Sequence, residues 1–280
     1  MPRVSEIRNI YHVITGLKAE RIEPLKAGFS NYSYLIDKKH VLRIKRSSED
    51  RFYDSHLESQ VIQKIASLKI SEKVLFFNED DGTKLSSFIP RTTKIIEQPN
   101  DEQLVLVAKT LKKLHRAKIH SGKSFDIFGR LAYYRSHCID FVDTVYERKI
   151  IASVERFYDD EPAILCHNDV VNGNLLFRGR KLFLIDYEYA SDNNPLFDLA
   201  SFISENKIES EAARQLFLKA YFGKKIEKTM YRRLLRLIAC QDILWYYWAQ
   251  MHYIKTKDPI YKRIAHMKWK AIIKNASAVK

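Results

Sequence analysis

Two kinds of hydrophobic pattern divide the chain. In the N-terminal part, apolar and polar residues alternate with the period of two that is typical of half-buried strands. Residues 25–36, where the alternation follows a turn that carries Gly28, and His40–Lys45 are predicted strands of this kind. Val74–Phe77 and residues 84–88 are predicted as two further short strands. Four short strands of this kind are enough for a small sheet.

The remaining segments follow the helical period. Predicted helices cover residues 50–68, 101–119, 131–158, 195–205, 210–222, 227–255 and 258–275. In the first of them, Leu57, Val61 and Ile65 share one face. The two patterns together predict an α+β fold with a small N-terminal β-sheet lobe, residues 1–88, and a larger, mainly helical C-terminal lobe, residues 89–280. With 280 residues, 46% of them hydrophobic, the chain can bury a sizeable core.

Three polar residues stand out between the predicted helices. Asp169 is followed five residues later by Asn174, in a loop that opens into an apolar strand, and a second strand, residues 181–185, ends in Asp186. An antiparallel pair of these strands brings Asp186 back beside Asn174. A carboxylate and an amide carbonyl are hard oxygen ligands that suit magnesium, and Asp169 has the position of a base that accepts the proton of an attacking hydroxyl. The plain alternative is that these residues only form turns and cap the next helix.

With these motifs the chain resembles the choline and ethanolamine kinases, within the kinase-like fold that they share with aminoglycoside phosphotransferases. The resemblance rests on H-N-D at residues 167–169, Asn174, I-D-Y-E-Y-A at residues 185–190 and F-D-L-A at residues 197–200. Aminoglycoside enzymes more often have H-G-D and lack the I-D-x-E-Y string, which favours the choline branch. The resemblance implies a bilobal protein kinase-like fold, ATP as phosphate donor and Mg²⁺ as cofactor.

The same resemblance assigns roles in the N-terminal lobe. The turn with Ser30 and Asn31 is similar to the phosphate loop of the family, although Ala27 stands where a second glycine is common, and an ordinary hairpin turn is the alternative. Arg43 takes the place of the phosphate-pairing lysine, and Lys45, on the same face of the strand, is a competitor for that role.

Two further contacts complete the implied nucleotide site. Glu58 matches the helix glutamate that pairs with the phosphate-binding cation, the alternative being a solvated acid on a polar face. Residues 88–90 resemble the hinge of the family, where backbone groups of Ser87 and Ile89 meet adenine.

The acceptor site is implied by aromatic residues late in the chain. Trp245 and Trp248 lie three residues apart on a predicted helix and therefore share a face, a spacing that by itself favours core packing. Choline kinases carry a similar W-x-x-W helix followed by a tyrosine, here Tyr261, and these rings enclose the quaternary ammonium, which no conventional hydrogen bond can recognise. By the same comparison Glu205 adds negative charge. Ethanolamine remains a competing acceptor.

Charge and cysteine content exclude several other functions. The formal charge is +14, but the Lys and Arg clusters are scattered over both lobes, and we expect no specific nucleic-acid partner. The three cysteines have no metal-ligand spacing, and the N-terminus lacks the apolar core of a signal peptide, so we expect a cytoplasmic protein. No apolar stretch reaches the roughly 20 residues of a transmembrane segment.

Several nearby residues invite a catalytic interpretation that we do not adopt. Cys166 is expected to be a buried thiol rather than a nucleophile, His167 to support the loop by hydrogen bonding, and His115 to be a packed or capping residue. The sequence thus predicts an ATP- and Mg²⁺-dependent kinase that phosphorylates the hydroxyl of choline. The alternatives are an ethanolamine, thiamine or aminoglycoside kinase, and a catalytically silent nucleotide-binding scaffold.

Overall fold

The computed structural model of the chain describes residues 2–25, 30–46, 51–138 and 144–278, and the side chains up to residue 274. Gly28 and Ala27 of the predicted phosphate loop lie outside these residues, as does Asp50, where a helix was expected to begin.

A five-stranded antiparallel sheet forms the N-terminal part, with strand order β1-β2-β3-β5-β4. Its strands are β1 (Ile22–Leu25), β2 (Asn31–Ile36), β3 (His40–Lys45), β4 (Val74–Phe77) and β5 (Lys84–Ser87). In β3 the adjacent residues Leu42 and Arg43 are both buried, so burial does not alternate along this strand. The antiparallel pairing places the start of β2 beside the end of β3, with Asn31 opposite Lys45.

One helix packs on this sheet that the hydrophobic pattern did not predict. It is α1 (Val4–Thr15), whose Ile7 and Tyr11 join Tyr34 and Leu42 of the sheet in a small hydrophobic cluster. Helix α2 (Ser55–Ile65) begins later than expected, because the Asp54 side chain accepts a hydrogen bond from the backbone amide of Leu57 and caps the helix there. Its Val61 and Ile65 belong to the larger core of the C-terminal part.

The C-terminal part is mainly helical. Its helices are α3 (Asp101–Arg116), α4 (Ile127–Ser136), α5 (Val145–Tyr158), α6 (Leu196–Glu205), α7 (Glu211–Phe222), α8 (Lys228–Thr256) and α9 (Pro259–Ala278). The prediction of one helix over residues 131–158 is wrong, since α4 ends at Ser136 and α5 begins after Thr144. Thr144 and Glu147 form a capping box that starts α5, a local signal that helical periodicity does not contain.

Short strands lie between α5 and α6. They are β6 (Ile164–Cys166), β7 (Leu175–Arg178), β8 (Lys181–Leu184) and β9 (Ser191–Asn193). β7 and β8 form the expected antiparallel pair, and β6 pairs with β9. In the described part of the chain no helix has the length and apolar character needed to cross a membrane.

Candidate active site

The loop after β6 carries Asp169, and a buried aspartate stabilises its conformation. Asp198 of α6 accepts hydrogen bonds from the backbone amides of His167 and Asn168, at 2.8 Å each. Asn168 has a positive φ of 65°, a conformation that costs a non-glycine residue free energy and therefore needs support. The Asn168 amide group donates in turn to the carbonyl of Tyr189 at 3.0 Å. The position of Asp169 is thus set by contacts with α6 and with the segment before β9.

His167 links the two acidic segments of the site. Its Nδ1 accepts from the backbone amide of Asp169 at 3.2 Å, and its Nε2 lies 3.0 Å from the carbonyl oxygen of Ile185, which precedes Asp186. Burial lowers the pKa of His167, so the ring is neutral with its proton on Nε2. This is the supporting role that the sequence predicted, and it leaves no lone pair for a general base.

Asp169, Asn174 and Asp186 meet at the end of the β7–β8 hairpin. The Asn174 amide nitrogen donates to Asp169 Oδ2 at 2.9 Å, and the backbone amide of Ile185 donates to the Asn174 carbonyl at 3.0 Å. Burial raises the pKa of Asp169 well above its usual range, and Asp186, Glu188 and Glu205 raise it further. The site therefore concentrates negative charge around Asp169.

Arg43 occupies the centre of the sheet side of the site. It makes a bidentate ion pair with Glu58, with both distances 2.7 Å, and a further contact of 2.8 Å with Asp186. Although burial works against its charge, Glu58 and Asp186 raise the pKa of Arg43 well above its usual value. The predicted pairing of Glu58 with this arginine is present. It joins α2, β3 and the Asp186 segment through one guanidinium.

Lys45 has a different partner. Its ammonium lies 3.1 Å from Glu188, which also accepts a hydrogen bond of 3.1 Å from the Asn31 amide, and it faces the ring of Tyr53. The sequence analysis treated Glu188 only as part of a motif and assigned it no role. Asp186 and Glu188 bind Arg43 and Lys45 of β3, although the segment between them is not extended, since Asp186 has a φ of 69° and Glu188 lies in a turn. Strand alternation therefore gives no signal for the position of Glu188.

A second ion pair lies beside Arg43 and was not anticipated. Lys84 of β5 pairs with Glu72 at 3.0 Å and approaches Glu58 to 3.8 Å. Both Lys84 and Glu72 line the same cavity as Arg43. Nothing in their sequence context distinguishes them from surface charges. The register of β5 with β3 places Lys84 opposite Arg43, and the segment before β4 brings Glu72 to it.

One cavity of about 820 Å³ connects these groups. The predicted site residues that line it are Ser30, Asn31, Arg43, Ser87, Ile89, Asp169, Asn174, Asp186, Glu205, Trp245 and Trp248. Glu58 reaches it through Arg43. The Ser87 backbone amide donates to the carbonyl of Lys73 at 2.9 Å, so this amide is used within the sheet.

The far end of the cavity is aromatic. The rings of Trp245 and Trp248 on α8 meet edge to face, with centroids 6.0 Å apart. Tyr261 packs against Trp248 at 5.5 Å and stacks on His252. The residues of its helix that line the cavity are Ile260, Ile264, Met267 and Lys268. Tyr261 therefore contacts the aromatic pair rather than forming part of the described cavity wall.

Glu205 does not stand alone at this end. Lys268 of α9 binds it at 2.5 Å, and the same ammonium lies 3.0 Å from Asp242. The sequence analysis expected Glu205 to face an acceptor cation and did not foresee this lysine. The two residues are 63 positions apart, so only the packing of α9 brings them together.

A further cluster, His115, Cys166 and Asp198, has its ligand atoms within 4.8 Å of one another. Its chemistry does not suit a metal ion, because the oxygens of Asp198 already accept from two backbone amides and from His115 Nε2 at 3.0 Å. Burial, followed by the charges of Asp198 and Asp192, raises the pKa of Cys166 well above its usual value, so the thiol stays protonated. The cluster is a structural support for the loop, as expected for His115 and Cys166.

The sequence and the fold were compared with those of known proteins. The model of the choline/ethanolamine kinase family matches residues 22–272. The protein LicA of Haemophilus influenzae is 28% identical over 247 residues, which cover 80% of this chain and 71% of that protein. The crystal structure of choline kinase LicA from Streptococcus pneumoniae superposes with a TM-score of 0.83 at 19% identity, covering 97% of this chain and 99% of that one.

A structure of LicA in complex with AMP gives a TM-score of 0.78 at 19% identity, covering 98% of this chain and 99% of that one. The bilobal kinase-like fold predicted from the sequence is thereby confirmed.

Proposed function

Because this chain belongs to the choline/ethanolamine kinase family, we propose that it transfers the terminal phosphate of ATP to the hydroxyl of choline, with Mg²⁺ as the metal. Membership of the family makes the protein a phosphotransferase that acts on an alcohol. The observation that carries the finer proposal is that one cavity holds Asp169, Asn174 and Asp186 at its centre and two tryptophans at its end.

The metal ligands of this proposal are Asn174 and Asp186. The amide nitrogen of Asn174 is held by Asp169, which leaves the carbonyl oxygen of the same amide as its ligand atom. Only one carboxylate oxygen of Asp186 is paired with Arg43, and a quarter of this side chain is exposed. Hard oxygen donors in acidic surroundings suit Mg²⁺, which supplies positive charge to the phosphates during transfer.

Asp169 is the proposed base for the acceptor hydroxyl. Its Oδ2 is oriented by Asn174, and its backbone is fixed by His167, so the carboxylate is presented to the cavity in one position. A base of this kind contributes by positioning the hydroxyl and by accepting its proton as the new bond to phosphorus forms.

The nucleotide is proposed to lie along the sheet side of the cavity. Ser30, Asn31 and Arg43 line it near Asp186, and Ser87 and Ile89 line it at the connection between the two parts of the fold. Arg43 is the better candidate than Lys45 for the phosphates, because Arg43 lines the cavity while Glu188 holds Lys45. The solved structure of LicA in complex with AMP, which has a similar fold, supports the binding of an adenine nucleotide by this chain.

The acceptor is proposed to be choline, with its trimethylammonium group against Trp245 and Trp248. Their edge-to-face arrangement offers an aromatic face to a cation, and Glu205 at the same end adds negative charge. Ethanolamine is the second candidate, since its primary ammonium can donate hydrogen bonds to the Glu205 carboxylate.

A panel of acceptors tests the proposal. Purified protein with ATP and Mg²⁺ is offered choline, ethanolamine, thiamine and an aminoglycoside, and ATP consumption and the phosphorylated product are measured. We expect choline to give the highest kcat/KM. Preference for another member of the panel would refute choline as the acceptor, and absence of turnover with every acceptor would refute the enzymatic proposal.

A further inference from the structure

Lys268 is a buried cation inside the proposed acceptor site. It lies on α9, is 9% exposed, and lines the same cavity as Trp245 and Trp248. Its ammonium contacts Glu205 and lies 3.0 Å from Asp242, with the Ser204 hydroxyl at 3.4 Å. A lysine in these surroundings has exchanged its hydration for protein oxygen atoms.

The charge of Lys268 persists despite burial. Desolvation alone would lower its pKa, but Glu205 and Asp242 raise it above its usual value, so the side chain is an ammonium at neutral pH. Glu205 therefore has a cationic partner before any acceptor enters. A cationic acceptor with an ammonium group would therefore compete with the Lys268 ammonium for the Glu205 carboxylate.

The position of Asp242 provides an alternative partner for the lysine. Ser204 donates to Asp242 Oδ1 at 2.9 Å, and Lys268 contacts the same oxygen. The long lysine side chain can turn away from Glu205 and keep the contact with Asp242. Such a movement would expose one Glu205 oxygen to the cavity without leaving the lysine unpaired.

We propose that Lys268 is the counter-ion of Glu205 when no acceptor is bound, and that it thereby determines the affinity for the acceptor. The ammonium group of an incoming acceptor replaces Lys268 on Glu205, and Lys268 keeps its contact with Asp242. This inference rests on the proposed function, since it concerns a cationic acceptor at that site. It also gives the site a means of discrimination. A neutral alcohol brings no charge to replace that of Lys268 on Glu205, whereas a cationic one does.

A double-mutant cycle of Lys268→Met and Glu205→Gln tests the exchange. With the competitor removed, the KM for choline should fall about tenfold in Lys268→Met, as expected for one charge-assisted hydrogen bond. In the Glu205→Gln background the same substitution should change this KM less than about twofold, because no carboxylate remains to be released. The KM for ATP should stay constant in all variants.

The cycle separates exchange from a general effect of charge. An equal fall in both backgrounds would mean that Lys268 acts only through its long-range field, and a rise or no change with Glu205 present would mean that it does not compete; either result overturns the inference. If Lys268→Met fails to fold in a thermal melt, Lys268→Gln, which keeps a donor but no charge, takes its place, with the same expected direction.

Asp242→Asn tests the retained contact. The substitution removes the negative charge that holds Lys268 after it leaves Glu205, so release of Glu205 becomes less favourable. The KM for choline should therefore rise several-fold when Lys268 is present and change little in the Lys268→Met background. A rise of equal size in both backgrounds would contradict the retained contact. Wild-type turnover with choline, measured in the same assay, reports on the proposed function separately, so a failure of the exchange and a failure of the proposed function give different results.

Discussion

At the scale of single residues, the acidic surroundings of Asp169 determine the protonation of its carboxyl group. Burial and the neighbouring carboxylates Asp186, Glu188 and Glu205 all raise its pKa. A cation bound beside such a group lowers the pKa again and favours the ionised, proton-accepting form. If Mg²⁺ and a cationic acceptor bind beside Asp169 as proposed, their positive charge favours the ionised base, so we expect Asp169 to accept a proton most readily in the assembled complex.

Replacing Asp169 by Asn should remove most turnover and leave nucleotide binding nearly unchanged. The substitution conserves volume but removes the charge and the proton acceptor, and a general base contributes about a hundred- to ten-thousandfold. The measurements are kcat and the dissociation constant for ATP, with Asp159→Asn, at an exposed position after α5, as the matched control. Full turnover in Asp169→Asn would exclude this residue as the base.

Because Arg43 and Lys45 have similar surroundings, replacing each of them in turn can show which one binds the phosphates of ATP. Both belong to β3, both pair with a buried glutamate, and their side chains are 6% and 7% exposed. Replacing either by Gln breaks a buried ion pair and should cost comparable stability, about 3–5 kcal/mol. Only Arg43→Gln should raise the KM for ATP strongly, by about tenfold or more, if its guanidinium binds the phosphates. A larger rise in Lys45→Gln, with similar melting temperatures for the two variants, would assign the phosphates to Lys45.

At the scale of elements, the loop between β6 and β7 depends on α6. Asp198 satisfies the buried backbone amides of His167 and Asn168, and the latter residue has a positive φ. Without this acceptor the amides would be buried and unpaired, at a cost of about 1–3 kcal/mol each. The conformation that presents Asp169 is therefore maintained by a residue that does not line the described cavity.

Asp198→Ala should therefore lower both the melting temperature and kcat, with little change in either KM. Asp192→Ala is the matched control, because Asp192 also accepts from two backbone amides, those of Ser121 and Gly122, outside the Asp169 loop. That variant should melt early but keep its kcat. If Asp198→Ala loses stability yet retains full kcat, the loop does not need this support for activity.

The tryptophan pair of α8 is testable at the same scale. Replacing Trp245 or Trp248 by Leu keeps apolar bulk but removes the aromatic face, and the loss of a cation–π contact of about 0.5–2 kcal/mol should raise the KM for choline two- to thirtyfold. The KM for ATP should not change. Trp269 on α9, which packs against Tyr246, is the control: Trp269→Leu should affect stability alone. Early melting of the Trp245 and Trp248 variants without a choline-specific defect would show that these rings are core residues.

The elements also show what a pattern of apolar residues can predict. β3 and β4 have the predicted bounds, because each is a short segment rich in apolar and β-branched residues between polar turns. The break between α4 and α5 was missed, since it depends on the capping interaction of Thr144 with Glu147 and not on hydrophobicity. Helix α1 was missed as well, although its Ile7 and Tyr11 are buried against the sheet.

At the scale of the whole molecule, the site is assembled from distant parts of the chain. Asp169, Asn174 and Asp186 could be located from the sequence, because a short hairpin joins them. The pairs Asn31 with Glu188 and Glu205 with Lys268 could not, since their members are 157 and 63 residues apart and meet only through tertiary packing. The division into lobes after residue 88 stays a prediction, placed where the sheet ends and the cavity passes from one part of the fold to the other.

The most direct test of the account compares choline with its neutral carbon isostere, in which a tert-butyl group replaces the trimethylammonium group. The two alcohols have nearly the same shape, so a difference in kcat/KM measures recognition of the positive charge by the tryptophans and Glu205. With ATP and Mg²⁺ in excess, we predict that kcat/KM for choline exceeds that for the isostere by at least about tenfold, the equivalent of 1.4 kcal/mol. Equal values, or no phosphorylation of choline, would contradict a kinase whose acceptor is chosen by its charge.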